Sequence, residues 1–65
     1  MDRMQKEILM SGVAELEYEL KDSLGVLEIF STYNSIYVTV SKNFTDYEKL
    51  PDHVVGIGVY YIQCF

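Results

Sequence analysis

The sequence contains very few of the residues that cross-link small proteins. Cys64 is the only cysteine, so a disulfide within the chain is excluded, and a single thiol is typical of a reducing, cytoplasmic setting. His53 is the only histidine, which excludes the ordinary zinc sites built from several Cys and His ligands. A chain of 65 residues forms only a marginal core. Oligomerisation is the remaining source of stability, and we predict a homo-oligomer, with a dimer as the simplest case.

The sequence also lacks a recognisable catalytic, cofactor-binding or metal-binding constellation. A dyad of Cys64 and His53 would need a third residue to orient the histidine and a donor for the oxyanion, and neither is evident. We predict instead that Cys64 packs within an apolar strand and that His53 is a solvated loop residue. Gly56-Ile57-Gly58 is only a fragment of a dinucleotide-binding fingerprint. The protein is therefore predicted to be non-enzymatic, with no cofactor.

Basic residues are scarce, because five Lys and Arg stand against ten Asp and Glu, for a formal charge of −5. This charge repels nucleic acid and anionic membranes and favours a basic protein partner. No run approaches the roughly 20 apolar residues that cross a bilayer, and the charged first residues are not followed by the apolar core of a signal peptide. We expect a cytoplasmic protein that binds neither nucleic acid nor membrane directly. An alternative interpretation is that the charge only keeps a Tyr-rich chain soluble.

Residues 2–24 have the periodicity of an amphipathic helix. Gly25 follows as the left-handed residue that commonly ends helices. Ser11-Gly12 leaves an alternative open, in which the helix begins at a Ser11 cap. The stripe predicted to face a core consists of Leu9, Val13, Leu16, Leu20 and Leu24.

Three later segments are typical of strands. Residues 26–33 and 36–41 alternate between apolar and polar side chains, and Asn34-Ser35 between them favours a β-hairpin. Residues 54–65 are uncharged, free of proline and rich in β-branched and aromatic side chains, which predicts one long strand.

The connecting loop, residues 42–53, breaks the strand pattern. Thr45 followed by Glu48 is a capping box, which predicts one or two helical turns that Pro51 would end. A connection of this length also allows the last strand to cross to a different position in the sheet.

Together these elements predict one small α+β domain, residues 1–65, with one long N-terminal helix packed on a three-stranded antiparallel sheet. The order is helix, strand, strand, short helical loop, strand. An alternative places the helix on the other face of the last strand, where Gly56 and Gly58 would admit it closely. The sheet residues predicted to join the helix stripe in the core are Leu27, Ile29, Ile36, Val38, Val40, Val55, Ile57, Val59 and Tyr61.

Two surfaces are candidates for binding. The second face of the sheet would carry an aromatic partner or dimer interface over a floor lowered by Gly56 and Gly58, and its residues are Phe30, Tyr37, Tyr60 and Ile62. The outer side of the helix would form an acidic partner surface made of Glu15, Tyr18, Glu19 and Asp22, continued by Glu28.

Two functions remain in competition. The first is a small acidic protein that acts by protein–protein interaction. It could be an inhibitor of a nucleic-acid-handling enzyme, of the kind that phages and mobile elements encode. The second is a structural or assembly subunit whose aromatic face and apolar C-terminal strand form a homo-oligomer.

Overall fold

A computed structural model describes residues 3–64 and confirms the α+β class, with one helix layer on one sheet layer. The helix α1 spans Arg3–Glu19, and a short 3₁₀ helix spans Tyr47–Lys49. There are four strands within the described residues, one more than predicted. They are β1 (Val26–Ser31), β2 (Ser35–Val40), β3 (His53–Val54) and β4 (Ile57–Gln63).

The sheet is mixed, with strand order β1-β2-β4-β3, so the prediction of a purely antiparallel sheet is wrong. The predicted hairpin of β1 and β2 is antiparallel, but β4 runs parallel to β2. Parallel neighbours need a long crossover, and the segment from Ser41 to Gly56, which includes β3, provides one. The predicted final strand is interrupted because Val55 and Gly56 both have positive φ and form a two-residue turn between β3 and β4.

The core lies between α1 and one face of the sheet. Gly12 explains how closely they approach, since a Cβ on this residue would lie 2.7 Å from Cδ1 of Ile36. The helix runs without interruption through Ser11-Gly12, so it does not begin at Ser11. The buried hydrophobic residues are Leu9, Leu16, Leu20, Ile36, Val38, Val40, Phe44 and Val54.

The helix is shorter than predicted, and its last predicted core residue is exposed. α1 ends at Glu19 and the chain turns away after Leu20, so Leu24 lies outside the helix and is 80 % exposed. Gly25 does have a positive φ of 90°, but its role is to let the chain pass Phe44. A Cβ on Gly25 would lie 2.5 Å from the backbone nitrogen of Phe44.

An irregularity in β1 changes which of its residues face the helix. The register with β2 shifts between Val26 and Glu28, which is the signature of a β-bulge. Val26 and Ile29 therefore pack against the core, whereas Leu27, predicted to be in the core, is 58 % exposed.

The helix packs on the predicted side of β4, so the alternative packing on the glycine face is not observed. Ile57 and Val59 are partly buried against the core, as predicted. Val55 lies in the turn before β4 and is exposed, and Tyr61 is half exposed beyond the end of the helix layer. The predicted short helix in the loop is a single 3₁₀ turn preceded by Asp46, and no side chain caps it.

Candidate functional site

No helix or strand of residues 3–64 covers the face of the sheet that points away from α1. The register between strands arranges the side chains of this face in three rows that run across the sheet. We term this surface the open face. Its middle row is Phe30, Tyr37 and Tyr60, its second row is Glu28, Thr39 and Ile62, and its third row is Ser35, Gly58 and His53.

The middle row is a continuous series of aromatic contacts across β1, β2 and β4. The ring centroids of Phe30 and Tyr37 are 5.5 Å apart and the rings are stacked. The centroids of Tyr37 and Tyr60 are 5.7 Å apart with an interplanar angle of 32°. Directly opposed aromatic side chains stabilise neighbouring strands, so the rings hold one another in place. Tyr60 nevertheless remains 56 % exposed.

Gly58 shapes the surface beside Tyr60. A Cβ on Gly58 would lie 3.2 Å from Oη of Tyr60 and 3.3 Å from its Cε2. The Tyr60 ring therefore leans along its own strand, over the space that a larger side chain at position 58 would fill. The glycines do not lower this surface as predicted, because the Tyr60 ring fills the space above Gly58, and Gly56 lies in the turn and not on the open face.

The four residues predicted for an aromatic interface are brought together. Phe30, Tyr37 and Tyr60 form the middle row, and Ile62 lies in the second row on the same strand as Tyr60. The even-numbered positions of β4 and the odd position Tyr37 of β2 share this face because β2 and β4 are parallel and in register. Their role as an interface stays a prediction.

The residues predicted for an acidic surface are all exposed and come from α1, from the turn after it and from β1. Glu15 and Glu19 border a groove together with Lys49, whose Nζ lies 3.8 Å from Oδ2 of Asp46. Tyr18 lies under the ammonium group of Lys21, whose Nζ is 4.5 Å from the ring centroid. Asp22 lies in the turn after α1 and is exposed.

Glu28 lies on the edge strand β1, where it borders a groove together with Glu17 and Lys21. It lies on the open face, opposite Thr39 in the register, and is exposed. The open face and the acidic residues of the helix therefore belong to different layers, and Glu28 at the edge of the sheet borders both the open face and a groove beside the helix.

The remaining reactive side chains do not assemble into a site. His53 pairs with Gly58 near the start of β4, whereas Cys64 follows the end of β4, so six residues separate these points and the distance along the strand is about 20 Å. Cys64 is exposed, so the prediction that it packs within a strand is wrong. Among residues 3–64, no group of three or more His, Cys, Asp and Glu side chains could hold a metal ion.

Sequence reasoning missed a cluster around Tyr47 on the helix side of β4. The ring centroid of Tyr47 lies 4.8 Å from that of Phe44 and 5.2 Å from that of Tyr61, and both contacts are edge to face. Nε2 of Gln63 donates a hydrogen bond of 2.9 Å to Oη of Tyr47. The available signal was the pair of aromatic residues in the connecting loop, which a solvated loop would not need.

Comparisons with known proteins found no match to a family model, to a curated protein or to a solved structure. The helix of the described residues is also not long and apolar enough to cross a bilayer.

Proposed function

We propose that this protein is a non-enzymatic binding protein and that its open face docks another protein. The observation that supports this proposal is the aromatic row of Phe30, Tyr37 and Tyr60, which crosses three strands and has no covering element among residues 3–64. Small domains that expose contiguous apolar surface commonly use it for contact with a partner.

The layout of the open face resembles the anatomy of protein interfaces. Such interfaces have an aromatic centre and a polar rim, and tyrosine is enriched in them because its ring buries a large area while its hydroxyl keeps a polar contact. Here the centre is the aromatic row, and the rows on either side contribute Glu28, Thr39, Ser35 and His53.

The charge pattern favours a partner with basic residues. Glu28 lies on the open face itself, where a Lys or Arg of the partner can pair with it. An Arg side chain can also stack on the Tyr rings through cation–π contact. The net charge of −5 attracts such a partner over a longer range, and the acidic residues on the helix layer contribute to this attraction without direct contact.

The size of the open face limits what it can do alone. Three strands of about six residues give a flat area of about 300 Å², from a strand spacing of about 4.8 Å and a rise of about 3.3 Å per residue. Stable interfaces bury about 800 Å² on each partner. We therefore propose that the partner extends beyond the open face. The partner that we propose is a protein with a basic groove, such as a nucleic-acid-handling enzyme.

The test is affinity capture from a lysate of the cells that encode the protein, with three variants compared by quantitative mass spectrometry. Tyr60→Ala removes the exposed end of the aromatic row, and Glu28→Lys reverses the charge of the face. Tyr33→Ala is the matched control, because Tyr33 is an exposed tyrosine that lies in the bend between β1 and β2 and outside the open face.

The proposal predicts at least one protein that wild type and Tyr33→Ala both retain, and that Tyr60→Ala and Glu28→Lys retain about tenfold less. Circular dichroism and thermal unfolding of each variant show whether the fold is kept. Equal recovery with all four proteins, or no recovery above a blank resin, would contradict the proposal.

A further inference from the structure

The outer edge of β4 is covered for only part of its length. β3 pairs with Ile57 and Gly58, and the N–H of Val59 donates to the carbonyl of Asp52 at 2.9 Å. On the other side, β2 pairs with β4 from Gly58 to Gln63. From Tyr60 onward, no strand of residues 3–64 lies beside the outer edge.

The backbone groups that face this gap can be assigned from the alternation of a strand. Val59 directs its N–H outward to Asp52, whereas Cys64 directs its N–H inward to the carbonyl of Val40 at 2.8 Å. Residues at even and odd positions therefore point to opposite sides, so the N–H and C=O groups of Tyr61 and Gln63 point outward. These are the groups that another strand would bond.

The two edges of the sheet differ in how they are protected. β1, at the far edge, has a bulge between Val26 and Glu28 and a charged residue at Glu28. Both features discourage pairing with a further strand. Residues 60–63 of β4 contain no charge and no proline, and their register with β2 is regular. An unprotected edge of this kind normally has a neighbour in the functional assembly.

The side chains of this segment are held in position on both faces of the sheet. On the helix side, Tyr61 and Gln63 both contact Tyr47. A groove of about 400 Å³ runs along the edge there, between β4 and the loop that carries Tyr47, Leu50 and Pro51. The open face contributes Tyr60 and Ile62. The edge is therefore preorganised as a strand before any partner arrives.

We propose that the occupant of this edge is a second copy of the chain, which pairs its own β4 antiparallel to the first. Residues whose backbone groups point outward pair with each other across the two strands. Tyr61 therefore lies opposite the second copy's Gln63, and Gln63 lies opposite the second copy's Tyr61. Each of these two pairs exchanges two backbone hydrogen bonds. Ile62 then lies next to its own symmetry mate on the two-fold axis.

The free length of the edge selects this register. A shift that placed Tyr61 opposite its own mate would bring Gln63 opposite the second copy's Val59, whose N–H already donates to Asp52. The chosen register uses only groups without a neighbouring strand. It also places no two like charges opposite each other, because residues 60–63 are uncharged. This fit of the segment to itself is the reason for choosing a second copy as occupant.

The dimer would extend the open face. Two sheets joined at β4 form one continuous sheet whose open faces lie on the same side, with a combined flat area of about 600 Å². This is closer to the size of a stable interface. The consequence for partner binding rests on the proposed function, whereas the dimer itself does not.

Disulfide trapping tests the register. Paired positions on the two-fold axis have Cα atoms about 4.5 Å apart, which lies within the range that a disulfide spans. In a Cys64→Ser background, Ile62→Cys should therefore form a covalent dimer rapidly on mild oxidation. Tyr60→Cys in the same background is the matched control, since it lies on the same face of the same strand but about 14 Å from its own mate. We expect it to cross-link at least about tenfold more slowly.

Light scattering on a sizing column tests the assembly without a cross-link. We expect wild type to change from monomer to dimer at a concentration on the order of 10–100 µM, because an edge contact is a small interface. Raised salt should strengthen the dimer, since it screens the repulsion between two acidic copies. Gln63→Pro removes an outward N–H that the monomer does not use, together with the side-chain hydrogen bond to Tyr47. Gln63→Ala loses only the side-chain bond and is the control, and relative to it the proline variant should weaken the dimer about tenfold while the fold is kept.

Three outcomes would overturn this inference. The first is a protein that is still monomeric at about 500 µM, where most of it should already be dimeric. The second is an equal rate of disulfide cross-linking at positions 60 and 62. The third is a dimer whose stability does not change in Gln63→Pro. The dimer and the proposed function can fail separately. A dimer that captures no other protein would contradict only the proposed function. A monomer that binds a partner through Tyr60 would contradict only the dimer.

Discussion

The two faces of the sheet are made from alternate residues of the same strands, yet they differ in composition and burial. On the face toward α1, Ile36, Val38 and Val40 of β2 are completely enclosed. On the open face, Tyr37 lies between them in sequence and contacts the rings of Phe30 and Tyr60. The first face provides the packing on which stability depends, and the second is available to a partner.

This separation has a physical basis. Aliphatic β-branched side chains fill a closed space efficiently, and burial of each contributes roughly 1.5–3 kcal/mol. Tyrosine tolerates both water and contact, because it has an apolar ring and a polar hydroxyl. The protein can therefore change its open face at little cost to its fold, and the predictions below test that difference.

The largest effect on stability is expected from Leu16→Ala. Leu16 has no exposed surface in the helix–sheet interface, so the substitution should lower the free energy of unfolding by about 2–5 kcal/mol. A domain of this size has roughly 3–10 kcal/mol in total, so a large fraction of the variant should be unfolded. Ile62→Ala on the open face is the control and should cost less than about 1 kcal/mol. Urea denaturation measures both, and equal losses would contradict the division between the faces.

A smaller effect is expected where the helix approaches the sheet. Gly12→Leu adds a side chain where even a Cβ would lie 2.7 Å from Ile36 and 3.2 Å from Cγ2 of Val55. Overpacking of this kind should cost about 1–3 kcal/mol. Ala14→Leu is the control, since Ala14 is exposed on the same helix and the change should stay within about 0.5 kcal/mol. If both variants unfold at the wild-type urea concentration, the helix does not pack at Gly12 as described.

The smallest effects concern charge and should appear in binding rather than in stability. Reversal of Glu15, Glu19 and Asp22 to lysine should lower the association rate of a captured partner about tenfold, because these residues act at a distance. Glu28→Lys should mainly raise the dissociation rate, because Glu28 lies on the open face, where we propose that the partner docks. Surface plasmon resonance at two salt concentrations separates the rates. Identical changes in both variants would show that the two layers are not distinct in binding.

Much of the fold could be predicted from local patterns. The helix stripe from Leu9 to Leu20 and the alternation of Ile36, Val38 and Val40 follow directly from the periods of a helix and a strand. The four aromatic and aliphatic residues of the open face were predicted for the same reason. The period of the apolar pattern shows which residues of a strand share a face, but it does not show which strands are neighbours in the sheet.

What could not be predicted depends on contacts between distant residues. The bulge after Val26 shifts Leu27 out of the core, and nothing in the alternation of that segment indicates it. The turn at Val55-Gly56 divides an uninterrupted apolar run, because a valine with positive φ has no local signal. The parallel pairing of β4 with β2 depends on the path of the connecting loop, where Phe44 is anchored in the core.

The most direct test of the docking surface is site-specific photocrosslinking in the cells that encode the protein. A photoreactive phenylalanine analogue replaces Tyr60 in one version and Tyr33 in the other, two tyrosines that are both exposed, one on the open face and one outside it. We predict that irradiation links position 60 to a distinct protein with a basic surface and that position 33 gives no such product. Linkage of the same protein from both positions, or from position 33 alone, would contradict the assignment of the open face as the docking surface.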